Sequence, residues 1–210
     1  DLTIHDQWLL QASASPPLYG DAHGVFIGST PPGLPGVTGT TIRRVTTWHC
    51  DGDGVQVNAP TDGSRTAAAD TLIEECHFYR TDPNAREENG LDAKAPRGLI
   101  FRNNVVHGFR GTPTSVEGAA VLVHMGGYDV VIEGNEVYDC TSCIRVSQGA
   151  GTERPDNVRI ENNLVYDTTT EALPIDSSTP GPSGSGSGAA AEKPSGESTA
   201  APRRSNTRAA

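Results

Sequence analysis

The sequence predicts an all-β solenoid, a single-stranded right-handed parallel β-helix of about six coils. Three observations predict it. A motif recurs about every 30 residues, the strand-forming runs between turns are short, and no stretch patterns as an amphipathic helix. The repeat is clearest in Leu99-Ile100-Phe101-Arg102-Asn103-Asn104-Val105-Val106, Val130-Val131-Ile132-Glu133-Gly134-Asn135-Glu136-Val137 and Val158-Arg159-Ile160-Glu161-Asn162-Asn163-Leu164-Val165. All three read apolar-x-apolar-x-x-Asn-x-apolar. Weaker copies start at Ile42 and Ile73, and a fainter one at Ile4. The anchors Ile42, Ile73, Phe101, Ile132 and Ile160 are separated by 31, 28, 31 and 28 residues.

Each repeat carries a second short strand, anchored at Val25, Val55, Leu91, Val121, Ile144 and Leu173. A unit of two strands and two turns cannot bury its own apolar side, so it stacks on copies of itself. A β-propeller blade needs four strands per repeat, more than the spacing holds. Asn104, Asn135 and Asn163 then occupy one column, read as a ladder of stacked amides that satisfies turn backbone.

Residues 1–176 form the β-helix, whose first coil is interrupted by the Pro/Gly loop around residues 29–36. The chain opens on a strand-like Asp-Leu-Thr-Ile, so the helix is expected to be incomplete at its N-terminus. Residues 177–210 are Pro/Gly/Ser-rich and then Ala-rich, almost without apolar side chains, and read as a disordered tail or linker.

The net charge is −10, and residues 1–176 hold 12 basic against 24 acidic side chains. That balance argues against nucleic acid as partner. No apolar run reaches membrane-spanning length. Cys50, Cys76, Cys140 and Cys143 match no zinc pattern. A local Cys140–Cys143 disulfide and burial as small apolar side chains both remain open. His5, His23, His49, His77 and His107 fall in different columns and are expected at turns or on the surface.

Period 2 in the second strands puts Gly28, Asn58, Lys94, His124, Ser147 and Asp176 in one outward column. Phe26, Gln56, Asp92, Leu122, Arg145 and Pro174 form the column beside it. Strands about 4.8 Å apart bring successive members within side-chain reach. Lys94, the sole lysine before residue 193, is thus flanked by Asn58 and His124, with Asp92 on its own strand. Asp51 and Asp53 enter the strand before, while Glu87 and Glu88 lie on the coil of Lys94.

Glu88-Asn89-Gly90-Leu91-Asp92-Ala93-Lys94, with Leu99 to Gly111 after it and the Asp51-Gly52-Asp53-Gly54 turn before it, resembles β-helical polysaccharide lyases. The nearer likeness is to pectate lyases of polysaccharide lyase family 9, the more distant one to family 6. It covers about residues 40–170. The resemblance implies Lys94 as Brønsted base and Asp51 and Asp53 as Ca²⁺ ligands, with Glu88 or Asp92 completing the set. An acidic, uronate-containing polysaccharide would be the partner, and a monomer secreted or held at a bacterial cell surface the setting.

Such chemistry asks for these residue types. β-Elimination removes the proton at C5 beside a carboxylate whose charge must first be neutralised, by Ca²⁺ or by Arg145. His124 is the candidate acid for the leaving group, and Asn58, Asp92 and Arg145 are the candidate substrate contacts. A lysine base must be neutral; nearby cations lower its pKa, whereas Asp92 raises it. Two other functions stand beside the lyase. One is a non-catalytic carbohydrate-binding or cell-surface module. The other is a glycoside hydrolase using a pair among Asp51, Asp53 and Asp92.

Overall fold

The computed structural model describes residues 1–7, 9–11, 18–20, 22–28, 30, 34, 36–58, 68–81, 88–111, 118–148 and 153–175. The expected tail at 177–210, Glu87, Asp176 and most of the loop insertions lie outside them.

The chain opens with β1 (Leu2–Gln7) and an antiparallel pair, β2 (Leu9–Gln11) and β3 (Leu18–Gly20). After that, three strands recur in each coil. The first coil holds β4 (Val25–Ile27), β5 (Thr41–Arg43) and β6 (Val45–Cys50). The second holds β7 (Val55–Asn58), β8 (Thr71–Glu74) and β9 (His77–Tyr79). Next come β10 (Leu91–Lys94), β11 (Arg97–Arg102) and β12 (Val105–His107). They are followed by β13 (Ala119–His124), β14 (Tyr128–Glu133) and β15 (Glu136–Cys140). The last coil has β16 (Ser142–Val146), β17 (Asp156–Glu161) and β18 (Leu164–Thr168).

Stacked coils give three parallel sheets. Their orders are β4-β7-β10-β13-β16, β5-β8-β11-β14-β17 and β1-β6-β9-β12-β15-β18. The expected six levels are present in the third sheet, and the other two have five. Ile42, Ile73, Phe101, Ile132 and Ile160 are in register, as are Val25, Val55, Leu91, Val121 and Ile144. Ile4 is a correction: it pairs with Thr47 in the third sheet, away from the Ile42 column.

The two-strand unit is a second correction. The last apolar residue of each motif, Val106 or Val137, lies past a corner on a third strand. At that corner Arg44, Glu75, Asn103, Gly134 and Asn162 all have positive φ, between 53° and 63°. Only a left-handed residue turns the chain so sharply, which is why Asn and Gly recur there.

The amide ladder stands one residue later. Asn104 Oδ1 accepts from Cys76 N at 2.9 Å, Asn135 Oδ1 from Asn104 N at 2.9 Å, and Asn163 Oδ1 from Asn135 N at 3.0 Å. Their Nδ2 groups donate to Ile73 O, Phe101 O and Ile132 O. Inside the coils pack Phe78, Phe101, Leu91, Leu99 and Ile132, all closed to solvent. The four cysteines are buried and free. Among the described residues no helix is long and apolar enough to cross a membrane.

Candidate functional site

The first sheet positions the charged residues. β10 pairs with β7 and β13 so that Lys94 faces Asn58 on one side and His124 on the other. Asp92 faces Gln56 and Leu122, and Leu122 in turn faces Arg145. The structure therefore brings the expected columns together as spaced. Leu91 and Ala93 point into the core, so Asp92 and Lys94 take the other side of the strand.

That side is not the open, solvated face expected for the outside of a solenoid. Asp53 is 0%, Asp92 2% and His124 3% exposed. Of the Lys94 side chain 26% remains exposed, and Asn58, Glu88 and Arg145 are half-buried. Buried charges persist only when paired and hydrogen-bonded, and these are. Asp92 Oδ1 lies 2.8 Å from His124 Nε2, and Oδ2 lies 3.0 Å from Lys94 Nζ. Gln56 Nε2 donates to Asp92 Oδ2 at 3.4 Å and to Asp53 Oδ2 at 2.9 Å. Asn89 Nδ2 donates to Asp53 Oδ1 at 3.0 Å. Beyond Asp53, His23 Nδ1 accepts from the Asp53 N–H at 3.0 Å and faces Oδ2 at 3.2 Å. The network thus crosses four coils, from His23 to His124.

The electrostatics separate the two carboxyls. Burial pushes Asp53 up, an effect that the nearby Asp92 charge reinforces and that the neighbouring His23 and the hydrogen bond from Asn89 oppose. Burial also works against Asp92 as an anion, but His124 and then Lys94 outweigh it and hold the carboxyl below the usual range. For Lys94, the expected base, the balance runs toward the charged form. Burial alone would lower it, yet the Asp92 carboxylate, with Asp53 and Glu88 behind it, holds the ammonium above the usual lysine range. A lysine held this way keeps its proton and is a poor base.

Asp51, Asp53 and Glu88 do come together along the backbone, since Glu88 N donates to Gly52 O at 3.0 Å. As it stands, the Asp53 side chain does not suit Ca²⁺. Both Asp53 oxygens already meet amide N–H donors, which repel a cation, and Ca²⁺ wants six to eight oxygens. No three His, Cys, Asp or Glu side chains among the described residues converge as metal ligands. The glycine of the same turn has a packing cause: a Cβ at Gly54 would lie 2.8 Å from Gly90 O and 2.7 Å from Thr47 Oγ1.

The sequence reading missed His23, Gln56 and Asn89 as partners. Gln56 stood in the Asp92 column and was legible there; His23 and Asn89 sit in turns, where period 2 places nothing.

Over residues 34–187 the chain matches the family model described as right handed beta helix region. It belongs to that family. No curated protein and no solved structure matches it. The right-handed β-helix family is shared by polysaccharide lyases, hydrolases and other proteins, so membership gives the scaffold and leaves the chemistry to the residues on it.

Proposed function

We propose that this β-helix protein is a polysaccharide lyase, cleaving an acidic, uronate-containing polymer by β-elimination at the Lys94 face. One observation carries the reading: a single carboxylate, Asp92, is shared between His124 and Lys94. It keeps Lys94 cationic and turns one edge of His124 toward itself. In the neutral ring, donation from Nε2 to Asp92 leaves the lone pair on Nδ1. The roles proposed here therefore differ from those read in the sequence. Lys94, helped by Arg145 two strands or about 10 Å further along the sheet, meets the substrate carboxylate and the charge that grows on it. His124 takes the C5 proton; the C4–O bond breaks, a C4=C5 double bond forms, and the leaving oxygen is protonated by water. Asn58 and Asp92 complete the contacts. Such a substrate places the protein outside the cell or on its surface, acting as a monomer.

The test is absorbance of unsaturated product when the protein is incubated with polyuronates and glycosaminoglycans, together with a reducing-end assay and a binding assay. Elimination yields both absorbance and new ends. Two observations favour other readings, and the same assays separate them. Asp53 and Asp92, pushed in opposite directions, suit paired-carboxylate hydrolysis, which yields reducing ends without absorbance. The burial of His124 suits a carbohydrate-binding module presenting only Lys94, Asn58 and Arg145, which yields binding alone.

A further inference from the structure

The outer side of the six-stranded sheet, apart from the Lys94 face, carries a ladder of rings. His5, Trp48, Tyr79, His107, Tyr138 and Tyr166 are in register on six successive strands. Adjacent rings lie within 13° of parallel, with centroids 4.7 to 6.0 Å apart. This corrects the expectation that the histidines fall in different columns, since His5 and His107 share one. His107 is held between Tyr79 at 5.3 Å and Tyr138 at 4.7 Å. His77, two residues before Tyr79 on β9, packs on that same tyrosine at 4.6 Å. The two imidazoles meet edge to edge, Nε2 to Nε2, at 3.0 Å.

An N–H···N hydrogen bond accounts for that distance. It is also the separation of two nitrogens held about 2.1 Å from one metal ion at a right angle, about 3 Å. We propose that His77 and His107 form a chelating site for a divalent transition-metal ion, Cu²⁺ foremost, bound through the two Nε2 atoms with water filling the remaining positions.

The chemistry of the site supports the assignment. Imidazole suits Cu²⁺, which also heads the affinity order of the divalent ions. Binding needs a tautomer change, the donor ring moving its proton from Nε2 to Nδ1 through solvent, and a rotation of the rings that turns the two Nε2 lone pairs from each other toward the ion. Glu136 and Asp139 add negative charge toward His107. Tyr79 and Tyr138 fix the ring planes beforehand, so little side-chain freedom is lost on binding.

The test is a Cu²⁺ titration of the full chain followed by electron paramagnetic resonance. The expected result is one bound equivalent whose spectrum shows coupling to two imidazole nitrogens. His77→Gln and His107→Gln should each abolish that two-nitrogen spectrum and weaken binding at least tenfold. Either variant carries the test alone should the other fold poorly. No bound equivalent, a spectrum without imidazole coupling, or an unchanged two-nitrogen spectrum in both variants would overturn the assignment.

Discussion

Asp92 and His124 stand on neighbouring coils, and Asp92 Oδ1 lies 2.8 Å from His124 Nε2 with both side chains almost closed to solvent. With Lys94 on the other oxygen, the carboxylate joins two side chains that chemistry would use separately. Asp92→Asn removes the anion and leaves both partners with a weaker acceptor. Breaking such a buried hydrogen-bonded group costs about 2–3 kcal/mol, read as a lower urea midpoint at unchanged slope. Turnover should fall with it.

Asp92 and Lys94 give stability a pH signature. Asp92 is depressed in the folded protein, so its contribution is complete above the unfolded aspartate value, about 3.9, and is lost as pH falls through the lower folded value. Lys94 is raised, so its contribution is complete below the unfolded lysine value, about 10.4, and is lost as pH rises through the higher folded value. Melting temperatures across the two ranges should fall at both ends. Lys94→Met should flatten the alkaline fall, and an unchanged alkaline fall in that variant would contradict the assignment.

Asn135 holds the ladder from the middle. Its Oδ1 accepts from both Asn104 N and Asn104 Nδ2, and its Nδ2 donates to Phe101 O and Asn163 Oδ1. Asn135→Ala strands several buried groups at once and is expected to cost about 3 kcal/mol. Asn163→Ala, at the half-buried end of the ladder, should cost less. Equal losses in denaturant unfolding would mean that the ladder adds nothing beyond local turn bonds.

Because amide donors already occupy both Asp53 oxygens, elimination should survive chelation. Rates measured with excess chelator and with added Ca²⁺ are expected to agree within about twofold. A loss restored by Ca²⁺ alone would return the metal to the mechanism.

Register was legible in the sequence because a solenoid converts spacing into neighbourhood. Once Val55, Leu91 and Val121 were aligned, Lys94 had to lie beside Asn58 and His124. The third strand was hidden because it begins right after a left-handed corner, where the apolar alternation breaks. Val106 and Val137 looked like the end of one strand instead of the start of another. With that strand went the ring ladder and the meeting of His77 with His107. Burial of Asp53, Asp92 and His124 was illegible for a different reason: alternation tells which side of a sheet a residue takes and says nothing of what covers that side. The state of Lys94 followed from it, since the ion pair with Asp92 is strong only because both groups are removed from water.

The most direct measurement is the elimination rate of Lys94→Arg set against Lys94→Ala. If Lys94 works as a cation, arginine should keep at least a tenth of the wild-type rate while alanine loses about a hundredfold or more. If arginine is as inactive as alanine and the wild-type rate rises only in the alkaline range, then Lys94 is the base and the account of this site is wrong.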